Sequence, residues 1–305
     1  MDAPAGILDR SDDGGRLAIS GAEARPALNG IVTNEVETLE PGHGVLAAVL
    51  TPKGKMLGDL RILDTGDELL LDMERPALQA VFDAIRHGLV GYDAQLDKRT
   101  LQTGLLSLIG PGSRDVAGAS GLPDEELANA AAEIGGARVR LIATDLGVDV
   151  LCGVDDTARV HAALAGAGAA EISHADAEVL RVESGRPRYG VDVDASVIPQ
   201  EAGLNERAVS FTKGCYVGQE TVARLFYKGK PNRHLRGLRL SEPAGPGVAL
   251  RLGEREVGTH TSSVVSPTLG PIGLALVRRE AEPGAELELA GSGGVTATVV
   301  ALPFA

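Results

Sequence analysis

The sequence predicts an α+β region followed by a small all-β module. Three observations carry that prediction. Up to about residue 228, hairpin-forming segments alternate with segments of helical periodicity. Beyond that point only short alternating segments remain, separated by Gly and Pro. Hydrophobic residues make up 44% of the 305 positions, enough for a sizeable core. We therefore expect two regions, 1–228 and 229–305.

Residues 17–19 read as a strand. Ser20 and Glu23 have the spacing of a capping box opening a short helix, which Pro26 forces to kink or to start late. Residues 45–50 and 56–63 read as a hairpin across a turn at 51–55, with a third strand at 68–72. Leu78, Val81, Phe82, Ile85 and Leu89 recur at helical spacing and place a helix over 75–89. The pattern then returns in looser form. Strands at 139–144 and 148–154 flank an Asp145-Leu146-Gly147 turn, and a helix over 156–165 is ended by Gly166. Ser173 is a fitting N-cap for a helix over 175–183, which Gly185 and Pro187 stop. In the last region the segments 235–240, 248–252, 256–260, 272–277, 286–289 and 295–300 read as strands of a small barrel or jelly roll.

The net charge of −13 repels phosphate backbones, so nucleic acid is not an expected partner. No apolar run approaches the roughly 20 residues that cross a bilayer, so no membrane partner is expected. Cys152 and Cys215 are too few and too far apart for a disulfide framework and fit a reducing compartment. The acidic N-terminal stretch resembles neither a signal nor a transit peptide. The expectation is a cytoplasmic protein. The histidines lack metal-site spacing, so no metal is expected.

Chemistry concentrates between residues 180 and 239. Five of the eight aromatic residues lie there: Tyr189, Phe211, Tyr216, Phe226 and Tyr227. From 207 to 239 there are eight Lys or Arg residues and one acid, Glu220. Flat rings beside positive charge suit a planar, anionic ligand. A solvated basic face with a few core aromatics is the alternative.

The order of residues is more specific. Lys213-Gly-Cys-Tyr-Val-Gly-Gln-Glu220 carries the string K-G-C-Y-x-G-Q-E, which resembles the signature of the YgfZ family of folate-binding proteins, relatives of the glycine-cleavage T-protein. Arg181-Val-Glu-Ser-Gly185 with Arg188-Tyr-Gly190, Ile198-Pro-Gln-Glu201, Thr33-Asn-Glu-Val36, Leu50-Thr-Pro-Lys-Gly54 and Val257-Gly-Thr-His-Thr-Ser262 extend the resemblance over most of the chain. It implies an aminomethyltransferase-like folate-binding region followed by a C-terminal β-barrel. It implies tetrahydrofolate or a one-carbon derivative as cofactor. It also implies an accessory role in assembling or repairing iron–sulfur enzymes, with iron–sulfur client or assembly proteins as partners. A folate-dependent aminomethyltransferase or demethylase is the alternative, and a folate-free protein-binding scaffold is the third reading.

The resemblance assigns pterin recognition to Glu183, whose carboxylate can accept the paired N–H donors of a pterin edge. Tyr189 or Tyr216 would cover the ring, since the chain has no Trp. Lys213 and Arg224 would hold the glutamate tail or a partner's carboxylates. Gly214 and Gly218 would allow an unusual backbone path or close ligand approach, and Gln219 and Glu220 would lock that loop by hydrogen bonds. Cys215 reads either as a small buried hydrophobe or as a reactive thiol activated by nearby cations. Cys152, in an apolar strand pattern, reads as core. The catalytic relatives carry a G-G-x-x-D-D pattern, and the matching stretch here is Gly54-Lys-Met-Leu-Gly58-Asp59. Only Asp59 remains as a candidate for proton transfer, which on this reading puts aminomethyl transfer in doubt.

Overall fold

A computed structural model describes residues 5–304 of the chain. Residues 1–4, part of the stretch read for a leader, lie outside the described residues. Two compact units emerge. One comprises residues up to 50, 57–173 and 208–217; the other comprises 51–56, 174–207 and 218 onward.

The first unit holds, in chain order, β1 (Ala5–Asp9), β2 (Gly14–Ser20), α1 (Ala24–Asn29), β3 (Gly44–Leu50), β4 (Met56–Asp64), β5 (Leu69–Glu74), α2 (Leu78–Gly88), β6 (Gln95–Lys98) and β7 (Thr103–Ile109). It continues through α3 (Ser113–Val116), β8 (Asn129–Ile134), β9 (Ala137–Thr144), β10 (Gly147–Gly153), α4 (Thr157–Gly166) and β11 (Ala169–Glu171). The strands form a five-stranded sheet, β3-β4-β5-β2-β6, and a six-stranded sheet, β11-β1-β7-β10-β9-β8. Period-two alternation decides what each face meets. Along β10, Val148, Val150 and Cys152 point into a core shared with Val160 and Leu164 of α4. Asp149 points the other way and takes Arg61 of β4 at 2.5 Å. Arg61 also holds Asp72 of β5 at 2.5 Å, and Ser107 of β7 donates to Asp149 at 2.6 Å. Burial opposes the Arg61 charge, but the carboxylates of Asp72 and Asp149 outweigh it and raise the guanidinium pKa. This ion network and a cluster of Leu63, Leu70, Leu127 and Ile142 join the two sheets.

The hairpin, the third strand, the 75–89 helix, both strands around Gly147 and the helix after it appear within a few residues of their expected bounds. The capping box does not form. Glu23 makes no side-chain cap; its carboxylate instead accepts the Asp93 amide at 2.7 Å. Helix α1 starts late, at Ala24, with Pro26 in its first turn, where a missing N–H costs nothing.

The second unit begins with α5 (His174–Glu183) and, after the short α6 (Asn205–Ala208), contains α7 (Gln219–Lys228). Then come β12 (Arg233–Leu240), β13 (Ala249–Leu252), β14 (Arg255–Ser266), β15 (Gly270–Arg278), β16 (Glu286–Leu289) and β17 (Thr296–Val300). The six strands close as a barrel in the order β12-β15-β14-β13-β16-β17 around Leu238, Leu250, Val277, Leu287 and Val299. Of the two all-β alternatives, the barrel is correct. Helix α5 packs on the barrel through Val182, which shares a cluster with Leu235, Ile272 and Leu274.

Candidate functional site

Asp59 lies on β4, and the alternation of that strand sets its surroundings. Gly58 faces α2: a Cβ built there would sit 2.6 Å from the Ala77 Cβ and 2.9 Å from Val81. Asp59 faces the opposite side, in step with Arg61. It is only partly exposed, and its Oδ1 is sealed from solvent with no hydrogen-bond partner among the described residues. Burial is the main force raising its pKa to about 6; the Glu74 charge adds to it, and a hydrogen bond with its own backbone opposes it. Leu60 pairs with Met73, so Glu74 is the next position opposite Asp59 across the β4–β5 ladder. The outcome is a carboxyl group poised between its two protonation states near neutral pH.

The loop preceding α7 places the signature residues differently from the sequence reading. Lys213 is buried, and its ammonium donates to the carbonyls of Asn29 at 2.6 Å, Val32 at 2.8 Å and Asn34 at 2.7 Å. All three protons are committed within this unit, so Lys213 is a cross-link between distant segments and offers no free donor to a glutamate tail. Burial lowers its pKa to about 8, against the pull of Glu35 and Glu37. The ammonium also sits 5.4 Å from the centroid of Tyr216. Tyr216 is 7% exposed, and burial pushes its hydroxyl up to about 12. Between them, Cys215 is exposed and free, so the buried-hydrophobe alternative does not hold for this thiol. Cys152 is buried in β10, as the apolar pattern suggests. Gly214 has open space where a Cβ would go, so no neighbouring protein atom requires glycine there. Gly218 does need glycine: it caps α7 with a left-handed φ of +84°.

In the second unit, Glu183 ends α5. Its Oε1 accepts the Ser266 hydroxyl at 2.5 Å, and Oε2 has no partner among the described residues. Two residues earlier, Arg181 fixes the helix in place. It donates to Glu178 at 2.6 Å, Asp192 at 2.8 Å and Ser262 of β14 at 2.6 Å. Buried Asp192 also accepts from Thr261 at 2.6 Å, Ser262 at 2.7 Å and the Arg188 amide at 3.0 Å. The R-x-E motif thus divides its labour: Arg181 anchors α5 to the barrel, and Glu183 accepts from Ser266 through one oxygen and leaves the other unpartnered among the described residues. Tyr189 is 8% exposed and donates to the Met56 carbonyl at 3.4 Å, so neither Tyr189 nor Tyr216 presents a broad open face for ring stacking. Gln219 and Glu220 head α7, and their side chains make no hydrogen bond among the described residues, contrary to the loop-locking expectation. Arg224 is exposed on the same helix.

Sequence reasoning missed the Asp192 network because its members are scattered over more than 80 positions. The run Thr259-His-Thr-Ser-Ser263, followed by Val264 and Val265, was the available signal. Among the described residues, no three His, Cys, Asp or Glu side chains gather as a metal site, and no helix is long and apolar enough to cross a membrane.

Two facing sheets with a covering helix on each, together with a closed six-stranded barrel, define a recognised two-part architecture. Residues 2–213 match the model of the GCVT N-terminal domain, and residues 233–305 match the glycine cleavage T-protein C-terminal barrel domain. The chain belongs to the glycine-cleavage T-protein family. It is 31% identical to an aminomethyltransferase of Saccharopolyspora erythraea, over 98% of this chain and 86% of that one. It is 28% identical to the aminomethyltransferase of Geobacillus kaustophilus, over 98% and 87% of the two chains. The crystal structure of the glycine cleavage system aminomethyltransferase T from Bartonella henselae superposes with a TM-score of 0.86 at 22% identity, covering 99% of this chain and 87% of that one. That likeness establishes the fold.

Proposed function

We propose that this protein binds a reduced folate and carries out folate-dependent one-carbon transfer of the aminomethyltransferase type. The observation that carries the reading is Asp59, a part-buried carboxyl group with an unpartnered oxygen and a pKa raised to about 6. A group so balanced can both take and give a proton at neutral pH, which general acid–base work requires. Bound folate would supply the nitrogens that accept the one-carbon unit. The chain's part is to hold the pterin and handle the proton. Glu183 would accept the pterin's paired N–H donors through Oε2 and the remaining lone pair of Oε1, while the Arg181–Asp192 network keeps α5 still. The glycine at 58 does not weaken this reading, because its side of β4 faces α2.

Two measurements test it. Calorimetric titration with tetrahydrofolate should show binding that Glu183→Gln weakens by roughly tenfold, since an amide donor would then face donors. An assay with aminomethylated carrier protein and tetrahydrofolate should show turnover that Asp59→Asn abolishes. Binding without turnover in the wild-type protein would reject the transferase reading.

A second reading, the YgfZ-type accessory to iron–sulfur enzymes, is favoured by one observation: the signature string displays an exposed, free Cys215. One thiol cannot hold a cluster, which takes about four ligands, so its role would lie in contact with a partner. Loss of iron–sulfur enzyme activity in cells carrying only Cys215→Ser, with folate binding intact, would favour this reading over the first.

A further inference from the structure

Helix α7 presents a face that neither folding nor folate chemistry accounts for. Helix α7 and the two residues after it carry three cations, Arg224, Lys228 and Lys230, against one acid, Glu220 in the first turn, in a chain of net charge −13. The helix buries Val222 and turns most of its remaining length outward. Arg224 and Lys228 lie one turn apart on the exposed side. Lys230 follows just beyond the helix, and Lys53 stands on the 51–56 turn, whose Gly54 packs against Thr221 at the start of α7. Arg224, Lys228, Lys230 and Lys53 make no ion pair among the described residues, whereas Arg233 is paired with Glu201 at 3.0 Å. Beside them, Phe226 is 47% exposed and Tyr227 is 65% exposed, their rings in edge-to-face contact at 5.0 Å. Two of only eight aromatic residues are thus spent on the surface, next to unpaired cations.

Tyr and Arg with a second aromatic form the composition that anchors protein interfaces. The cations select the sign of the partner. An acidic protein is drawn to this basic face against the net charge of −13, which orients the encounter. Nucleic acid fits less well. Its phosphates meet the same repulsion, and two rings set edge to face offer no parallel platform for stacked bases. We propose that the exposed side of α7 is a docking surface for an acidic partner protein that carries an apolar side chain among its carboxylates. The proposal does not depend on folate binding or turnover.

The probe is a fluorescein-labelled synthetic peptide of alternating Glu and Asp with a central Leu-Phe pair, followed by anisotropy with the full chain. Binding is expected, weakening steeply between ~50 and ~300 mM salt. Arg224→Glu with Lys228→Glu should weaken it by about tenfold, and Lys230→Glu, outside the helix, should weaken it without any risk to folding. Phe226→Ala with Tyr227→Ala should weaken it by about fivefold, but should leave unchanged the weaker binding of an all-acidic peptide lacking Leu and Phe. Unchanged circular dichroism in each variant keeps the comparison valid. The proposal is overturned if the peptide does not bind, or if the aromatic variant binds it like wild type. It is also overturned if a poly-dT oligonucleotide or phosphatidylglycerol vesicles bind more tightly at the same charge and lose that binding with the same substitutions.

Discussion

Replacing Asp59 with asparagine should stabilise the folded protein at neutral pH while removing its turnover. The reason is the displaced pKa. Well below pH 3.8 the carboxyl group is protonated in both the folded and the unfolded chain, and it costs nothing. As the pH rises from about 4 to about 6, the unfolded chain releases its proton while the folded chain keeps it, so stability falls. Above about pH 6 the full penalty is present. Raising the pKa from 3.8 to about 6 corresponds to about 3 kcal/mol at 1.36 kcal/mol per pH unit. Asp59 keeps some exposure, and solvent screens part of that cost, so a net gain of about 1–2 kcal/mol is expected for the neutral isostere. Urea unfolding of wild type and Asp59→Asn at pH 4 and pH 7.5 measures it. The variant should be the more stable at pH 7.5, and the difference should shrink to about 0.5 kcal/mol or less at pH 4. Equal stability at both pH values would mean that the carboxylate is well solvated, and the argument for its role in proton transfer would go with it.

Other outcomes follow from the same structure. Lys213→Met keeps the aliphatic stem but strands three carbonyls, and should cost about 2–4 kcal/mol of stability by thermal or chemical unfolding. Iodoacetamide should modify Cys215 in the native protein and Cys152 only on unfolding, read by peptide mass spectrometry. Gly58→Asp should lower stability by about 3 kcal/mol or more without raising turnover, because the new side chain would collide with Ala77 and Val81.

The elements most open to sequence reading were those with a wet face. Helix α2 shows its periodicity because one side meets water, and the β3–β4 hairpin shows its turn. Strand β7, Thr-Gly-Leu-Leu-Ser-Leu-Ile, is buried along almost its whole length between β1 and β10, so it carries no alternation to detect. Helix α7 was hidden for another reason: its apolar face is only Val222 and the half-buried Leu225, while its aromatics point outward. Among the candidate site residues, Glu183 and Asp59 stood out in the sequence through the motifs that carry the family resemblance. The duty of Lys213 could not, because the carbonyls it binds lie about 180 positions away in sequence, near Asn29, Val32 and Asn34.

The pair of aspartates in the catalytic pattern invites comparison with a carboxylate dyad, in which two acids share one proton and split their pKa values. Strand geometry rules that out at this position. Neighbouring residues on a strand point to opposite faces, so an acid at 58 would be directed at α2 while Asp59 is directed at the facing sheet. A dyad needs carboxyls within a few ångströms on one face. The like charge that does reach Asp59 comes from Glu74 across the ladder, and burial acts more strongly than that charge. The proton affinity of Asp59 is therefore set by its own pocket and its cross-strand neighbour, and a glycine at 58 leaves both intact. The residue at 58 bears on how β4 packs against Ala77 and Val81, and adjacency to Asp59 in sequence is not adjacency in space.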